Sequence, residues 1–420
     1  MRVLIINTSE RRGGAAIAAN RLMEALKNNG IKAKMLVRER QTDNVTVVSL
    51  RKSWRRIWQF TWERFVIWAT NGFQKKNLFA IDIANTGTDI TDLPEFKQTD
   101  VIHLHWINQG MLSLDDIQKI INSGKPIVWT LHDMWPFTGI CHYANDCKKY
   151  TTQCQHCELL VHPHHKDLSY KVFRRKQKLY SQAPITFVAC SRWLEGIAKE
   201  SALIKGHPIT NIPNAINTNL FAPRPKNSIR EKLKLPADKK LLLFGSMKIT
   251  DERKGISYLI EACKLIAQNQ PELREKLGVV VMGSQAEQCA SLFPFPIYQM
   301  NYVSNEKDLV DIYNAVDLYV TPSLQDNLPN TIVEAMACGI PCVGFNVGGI
   351  PQMIDHLHNG YVARYKSAED LANGICWSLN EEDYPMLSGE ARRKAVNTYS
   401  EQTVAMKYIQ IYNHITGENA

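Results

Sequence analysis

The residues best suited to chemistry lie in one stretch of the second half of the chain, TPSLQDNLPNTIVEAMACGIPCVGFNVGG. An apolar run at its start predicts a buried strand that ends in a proline turn, and Asp326 lies in the loop that follows. Asn330 or Thr331 is predicted to cap a short helix that carries Glu334. Two acids at the carboxyl end of a parallel strand can hold sugar hydroxyls, and a helix N-terminus beside them can hold phosphate.

Gly348 and Gly349 follow the next predicted strand, Cys342–Phe345, and Pro351 then suits the first turn of a helix. Because glycine has no side chain, backbone N–H groups at such a turn can approach an anion closely. This pair is therefore a second predicted anion-binding element.

Three basic residues, Lys248, Arg253 and Lys254, lie in the stretch FGSMKITDERKG between a predicted strand and a predicted helix. A cation at this point would stabilise negative charge that develops on a departing diphosphate. Ordinary surface charge is the alternative for each of the three.

The first half of the chain offers weaker signals. Gly13 and Gly14 follow the first predicted strand, but any strand-to-helix turn can use such a pair. His132 ends another predicted strand and is expected to face a cleft, with a purely structural histidine as the alternative. His103 and His105 alternate with apolar residues at strand period and are predicted to be structural, or to line the acceptor side.

The second-half stretch resembles the retaining glycosyltransferases of the GT-B fold, a large group that includes bacterial polysaccharide glycosyltransferases. Their pattern is an acid, seven residues and Glu, followed by Ala-Met-Ala-x-Gly-x-Pro and a later Gly-Gly. Here the pattern runs from Asp326 through Glu334 and the AMACGIP segment to Gly348-Gly349. Taken alone, Thr331 and Glu334 would also fit a helix capping box, but the surrounding pattern favours the ligand role.

The resemblance implies roles for particular residues. Asp326 would contact the donor sugar, Glu334 would bind the ribose hydroxyls, and Lys254 would bind the donor diphosphate. Gly13-Gly14 would face the diphosphate, and His132 would contact the donor sugar.

Two departures from the family pattern stand out. The family usually has Glu where this chain has Asp326, and it has backbone donors where this chain has Pro329, which lacks an N–H. We expect Asn330 or Thr331 to supply replacement donors. The family also has an Arg where this chain has Ser246, and Lys248 or Arg253 is expected to compensate.

Alternating strand and helix patterns predict an α/β fold, and the resemblance implies two facing, doubly wound Rossmann-like domains with an interdomain cleft. A proline-rich break near 211–225 marks the linker. We expect an acceptor-binding domain at 1–214, which includes a Cys-rich loop at 138–160, and a nucleotide-sugar-binding domain at 215–399. A C-terminal helix within 400–420 is expected to cross back to the first domain.

Four of the ten cysteines, Cys141, Cys147, Cys154 and Cys157, lie within one short segment. The closing C-x-x-C with two further thiols fits a structural zinc ion held by four thiolates, with His142 and His156 as substitutes. The alternative is four unligated thiols in a mobile loop. No cofactor is expected for catalysis.

The segment 51–76, RKSWRRIWQFTWERFVIWATNGFQKK, combines tryptophans at helical spacing with seven basic residues and one acid. Tryptophan and arginine on one helix suit a bilayer interface, and an ordinary packed helix is the alternative. No apolar run reaches the roughly 18–20 residues that span a bilayer. We therefore expect a cytoplasmic protein, with peripheral contact at the inner face of the membrane through 51–76.

Together these features predict a retaining, metal-independent glycosyltransferase of cell-surface polysaccharide biosynthesis, such as that of capsule or lipopolysaccharide. It would move a hexose-type sugar from a nucleotide-diphosphate sugar to a glycan or lipid-linked glycan acceptor. The alternatives are a nucleotide-sugar epimerase or a phosphorylase on the same fold, and a non-enzymatic nucleic-acid-binding protein. A net charge of +9 over 420 residues permits anionic partners but selects none, and no nucleic-acid motif is evident, so no nucleic-acid partner is expected.

Overall fold

A computed structural model describes residues 1–50, 54–181, 183–301, 303, 305–380 and 382–417. These residues form two compact units. The first comprises Met1–Ala215 together with the described residues from Val404 onward, and the second comprises Ile216–Thr403. Arg51 and Lys52, which begin the predicted basic segment, lie outside the described residues.

The first unit is built on a seven-stranded parallel sheet of order β3-β2-β1-β4-β5-β6-β7. Its strands are β1 Arg2–Ser9, β2 Lys32–Glu39, β3 Val47–Ser49, β4 Val101–Leu104, β5 Ile127–Leu131, β6 Ile185–Ala189 and β7 Ile209–Asn211. Its helices are α1 Gly14–Asn28, α2 Trp54–Thr70, α3 Pro94–Lys97, α4 Leu114–Asn122, α5 Leu168–Tyr180 and α6 Arg192–Lys199.

The second unit is built on a six-stranded parallel sheet of order β10-β9-β8-β11-β12-β13. Its strands are β8 Lys240–Lys248, β9 Leu277–Ser284, β10 Ile297–Met300, β11 Leu318–Thr321, β12 Cys342–Phe345 and β13 Gly360–Ala363. Its helices are α7 Lys226–Lys232, α8 Ile256–Asn269, α9 Pro271–Arg274, α10 Glu306–Ala315, α11 Asn330–Ala337, α12 Ile350–Met353, α13 Ala368–Ser378 and α14 Tyr384–Tyr399.

The last helix, α15 Glu401–Thr416, begins in the second unit, and its residues from Val404 pack in the first. Val404, Ala405, Tyr408 and Tyr412 are buried in the same core cluster as Val3 and Ile5 of β1. These residues of α15 are therefore part of the core of the first unit.

Both sheets are covered on their faces, which explains the continuous apolar runs of the strands. In β1, Leu4 and Ile6 belong to one core cluster, and Val3 and Ile5 belong to another. Strands buried on both faces cannot show a polar alternation, so these runs were recognisable from sequence as parallel strands. The structure therefore confirms the α/β class with two doubly wound sheets.

Among the described helices, none is both long and apolar enough to cross a bilayer.

Candidate active site

Each sheet has a point where successive strands continue in opposite directions across the sheet. In the first unit this point lies between β1 and β4, and in the second it lies between β8 and β11. Loops that leave neighbouring strands diverge at such a point and open a crevice at the carboxyl ends, where ligands of open α/β sheets bind. The loop after β8 carries Lys254, and the loop after β11 carries Asp326.

Lys254 and Asp326 form an ion pair at the β8–β11 crevice. The Lys254 Nζ lies 2.6 Å from the Asp326 Oδ2, and both side chains are only partly exposed. The Leu324 N–H donates to the carbonyl of Arg253 at 2.7 Å, which ties the two loops together. Gly255 has a φ of 67°, and a Cβ there would lie 1.9 Å from the Pro322 carbonyl oxygen. Only glycine lets these loops come close enough to form the pair.

Gly348 brings a third loop to the same place. Its φ is 57°, and a Cβ there would lie 1.8 Å from the carbonyl oxygen of Asp326. Gly349 follows at the start of α12, and Pro351 lies in its first turn as expected. The loops after β8, β11 and β12 therefore converge on Asp326.

The helix that carries Glu334 begins differently from the sequence expectation. Pro329 is its N-cap residue, so neither Asn330 nor Thr331 caps it, and the Thr331–Glu334 capping box is wrong. Pro329 favours this place because its missing N–H would have no helical partner there and its φ is already set.

Glu334 is buried and accepts a hydrogen bond from the Tyr313 hydroxyl at 2.8 Å. Burial, followed by the Glu334 charge, raises the pKa of Tyr313, which keeps that hydroxyl protonated as a donor.

The other two predicted cations take different positions. The Arg253 Nη2 pairs with the Asp251 Oδ2 at 2.8 Å, and this contact contributes to a lowered pKa of the Asp251 carboxyl despite its partial burial. Lys248 is exposed at the end of β8. Of the three cations predicted here, the structure places Lys254 against Asp326.

In the first unit, Gly13 and Gly14 lie directly after β1, at the β1–β4 point. Gly13 has a φ of 91° and is the N-cap residue of α1, and Gly14 is its first residue. A residue with a side chain would be strained at Gly13. The positive φ explains why glycine occupies this turn, and its role facing the diphosphate stays a prediction.

His132 follows β5 and is partly buried. Its Nε2 lies 2.9 Å from the Nδ1 of His105, and its Nδ1 lies 3.6 Å from the Cys190 sulfur. Burial lowers the pKa of His132 to about 4, so the ring is neutral near pH 7. Both ring nitrogens therefore have partners within the first unit.

A buried polar column stands behind His132. The ring centroids of His103 and His105 lie 4.4 Å apart with the rings tilted, and the His103 Nδ1 lies 2.7 Å from the Tyr412 hydroxyl of α15. The His103 Nε2 lies 2.7 Å from the Thr130 hydroxyl, which lies 2.9 Å from that of Tyr408. This supports the structural prediction for both histidines, and it links α15 to the strand ends.

Sequence reasoning missed a second cluster at the same edge. The Asp133 Oδ2 accepts from the indole N–H of Trp106 at 2.9 Å and lies 2.8 Å from the His142 Nδ1. Burial lowers the pKa of His142, but the Asp133 carboxylate outweighs it, so the pKa lies above its ordinary value. Trp106 and Asp133 directly follow His105 and His132, so the rule that found those histidines could have found them. His142 had been considered only as a substitute zinc ligand.

The four clustered cysteines all pack against one core cluster. The Gly139 N–H donates to the Cys154 sulfur at 3.2 Å, and burial raises the pKa of Cys141 and Cys154 to about 12. Within the part of the chain that the structure describes, no three His, Cys, Asp or Glu side chains are arranged to hold a metal ion. Zinc at these cysteines stays a hypothesis from spacing, which metal analysis of protein purified without chelator would test.

Two family models match the chain. The model for Glycosyltransferase Family 4 matches residues 12–220, and the model for Glycosyl transferases group 1 matches residues 238–381. The two matches fall on the first and the second sheet, respectively.

Curated relatives are similar at low identity. A D-inositol 3-phosphate glycosyltransferase of Thermobispora bispora is 26% identical over 49% of this chain and 50% of its own length. An N,N'-diacetylbacillosaminyl-diphospho-undecaprenol alpha-1,3-N-acetylgalactosaminyltransferase of Campylobacter jejuni is 27% identical over 43% and 49%. The putative colanic acid biosynthesis glycosyl transferase WcaC of Escherichia coli is 20% identical over 75% and 76%. The chain thus spans about half the length of the first two.

A solved structure shares the fold over nearly the whole chain. Anabaena HepE, crystallised in complex with UDP and glucose, superposes with a TM-score of 0.65 at 16% identity and covers 99% of this chain and 100% of its own. At that identity the likeness concerns the fold, which is GT-B.

Proposed function

We propose that this GT-B-fold chain is a glycosyltransferase that transfers a hexose-type sugar from a nucleotide-diphosphate sugar to a glycan or lipid-linked glycan acceptor. The process would be cell-surface polysaccharide biosynthesis. Support comes from the relatives, one named for an undecaprenol-linked sugar and another for colanic acid biosynthesis.

The observation that carries the proposal is the 2.6 Å pair of Lys254 and Asp326 at the β8–β11 crevice. A carboxylate there can accept hydrogen bonds from sugar hydroxyls, and the neighbouring ammonium can hold an adjacent phosphate. The Gly348–Gly349 loop lies against Asp326 and offers backbone donors to the same diphosphate. These contacts support the proposal that the second unit binds the donor.

Glu334 is the proposed ribose ligand. Tyr313 holds its Oε2, so the carboxylate is oriented before a nucleotide arrives. A pre-oriented acceptor of this kind pairs well with two vicinal hydroxyls, because little side-chain freedom is lost on binding.

Bond breaking would depend on Lys254. As the bond to the anomeric carbon lengthens, negative charge grows on the leaving diphosphate, and a fixed cation beside it stabilises that charge. We propose transfer with retention, in which an oxygen of the leaving phosphate takes the proton of the acceptor hydroxyl. Lys254 would then stabilise the leaving diphosphate as a divalent cation does in metal-dependent transferases. The sequence has no Asp-x-Asp pair of the kind that those transferases use.

The acceptor side is proposed at the β1–β4 point of the first unit. His132 is neutral near pH 7. The roles that the resemblance implies, contact of His132 with the donor sugar and of Gly13-Gly14 with the diphosphate, stay predictions.

The test is a thermal-shift screen with UDP-, GDP- and ADP-linked sugars, made on the wild type, Lys254→Ala and Glu334→Ala. A true donor raises the melting temperature by mass action, and both variants should lose that rise relative to their own ligand-free baselines. Lys226→Ala is the matched control. The Lys226 Nζ lies 2.6 Å from Asp317 with 29% of its side chain exposed, against 30% for Lys254, but this pair lies at the opposite end of β11.

A donor-induced shift that survives in Lys254→Ala and Glu334→Ala would contradict the proposed site. Release of nucleoside diphosphate that depends on added acceptor separates a transferase from an epimerase or a phosphorylase on this fold.

A further inference from the structure

Helix α2 buries an ion pair. Glu63 is fully buried and Arg64 nearly so, and the Arg64 Nη2 lies 3.1 Å from Glu63 and 3.2 Å from Asp82. The Glu63 Oε1 accepts from the backbone N–H groups of Ile83 and Ala84 at 3.0 and 2.7 Å. The helix is thus attached to the first unit through buried polar bonds as well as through Ile67, which lies in its core.

The opposite side of α2 is aromatic and exposed. The exposed fraction is 71% for Trp54, 70% for Ile57, and 48% for both Trp58 and Phe65. The rings form a continuous strip, with centroid distances of 4.7 Å for Trp58–Trp62 and 5.5 Å for Trp62–Phe65. The strip continues through Trp68 to Phe73. We call Trp54, Ile57, Trp58, Trp62, Phe65 and Phe73 the aromatic face.

This arrangement departs from an ordinary surface helix, which keeps large aromatic residues out of water and leaves its charges exposed. Side chains that gain most from leaving water remain in it, while an ion pair that loses solvation is buried. The exposure of these aromatic side chains is explained if a second apolar phase covers the aromatic face.

The charge of segment 51–76 indicates which kind of apolar phase covers the aromatic face. Of its seven basic residues, Arg64 is in the buried ion pair, and its one acid, Glu63, is buried with it. Six basic residues and no other acid remain: Arg51, Lys52, Arg55, Arg56, Lys75 and Lys76. They lie at the two ends of the segment, and Lys75 and Lys76 are exposed. Two copies of so positively charged a segment would repel each other, whereas an anionic surface would attract it.

We propose that the aromatic face rests in the interfacial layer of a membrane that contains anionic phospholipid. Tryptophan and phenylalanine enter the boundary between headgroups and acyl chains, and the flanking lysines and arginines pair with lipid phosphates. The helix lies in the plane of the membrane. This inference stands on α2 alone and does not require the proposed donor site.

The experiment is flotation of the purified full chain with vesicles of phosphatidylcholine alone and of phosphatidylcholine mixed with phosphatidylglycerol. The wild type should float with the mixed vesicles and much less with phosphatidylcholine alone. The double variant Trp58→Glu/Phe65→Glu should lower the partition coefficient by about tenfold or more.

The matched control is Met386→Glu/Met406→Glu, which adds the same two charges at residues with 48% and 47% exposure outside α2. It should float like the wild type, so that a loss in the first variant reports position rather than net charge. Equal flotation of the two double variants, or no flotation of the wild type, would overturn the proposal. Light scattering that shows a dimer which only Trp58→Glu/Phe65→Glu converts to monomer would assign the face to a second copy instead.

Discussion

The side chains of Asp326 and Lys254 fix each other's position, so substitutions of Asp326 test the role of its carboxylate in the site. Asp326→Ala should lower turnover by roughly 10- to 100-fold, the effect of losing one hydrogen bond that involves a charged group. Asp326→Glu restores the residue that is usual in the resembling family, and it should keep most of the activity. Acceptor-dependent release of nucleoside diphosphate measures both, and equal losses in the two variants would contradict a role for the carboxylate.

Two buried histidines should make the protein sensitive to acid. Burial lowers the pKa of His103 to about 3 and that of His105 well below its ordinary value. Between pH 6.5 and 4 the unfolded chain therefore binds protons that the folded chain excludes, and stability falls as pH falls. Each histidine contributes about 1.4 kcal/mol per pH unit in that window.

His105→Gln should reduce the slope of the unfolding free energy against pH by the contribution of one histidine, whatever it does to stability at pH 7. Urea unfolding followed from pH 7 to pH 5 measures the slope. An unchanged slope would show that His105 is protonated in the folded state.

At the scale of single residues, the sequence identified the site residues that belong to a recurring motif. It missed residues whose role depends on a contact with a residue far away in the sequence. Asp326, Lys254 and Gly348 follow known motifs. Tyr313 lies 21 residues before Glu334 and reads as an ordinary core tyrosine, so its bond to the carboxylate had no local signal.

Among the larger elements, the glycine-containing loops leave the least space for an added side chain. Gly348→Ala should cost more than about 1 kcal/mol, because the new Cβ would overlap the Asp326 carbonyl and the backbone has a positive φ. Gly389→Ala is the control, since that glycine lies within α14 with nothing near its Cβ position. It should stabilise the protein by about 0.5–1 kcal/mol. Thermal melts of both variants would reveal opposite shifts, and shifts of one sign would contradict the geometry.

At this scale the sequence was a good guide to strands and a poorer guide to helix starts. The run Cys342–Phe345 was expected as a strand and forms β12 with those bounds. The start of α11 was misplaced because Ser, Thr and Asn rank first as N-cap residues, yet Pro329 takes that place here. The strands β3, β7, β10 and β13 gave no signal, since they lie at the sheet edges and are partly exposed, so they lack a continuous apolar run.

For the whole molecule, the two units differ in how the chain builds them. The second is one continuous segment, whereas the first needs residues from both ends of the chain. A fragment 216–403 should therefore fold alone with a cooperative melt. A fragment 1–215 should melt at a lower temperature, because Tyr408 and Tyr412 no longer cover β1 or bond Thr130 and His103.

Circular dichroism of the two fragments tests this, and a synthetic peptide of residues 404–417 should raise the melting temperature of 1–215. No effect of the peptide would mean that α15 adds little to the first unit.

The discontinuous first unit also sets the order of events at the ribosome. Residues 1–215 emerge first, but the helix that completes their core is translated 189 residues later. At about 5–20 residues per second, the nascent chain waits roughly 10–40 s with the site for Tyr408 and Tyr412 uncovered. A nascent chain would therefore depend on chaperones during that interval. A premature stop codon near the end of the chain would leave the core of the first unit incomplete, and the product would be degraded.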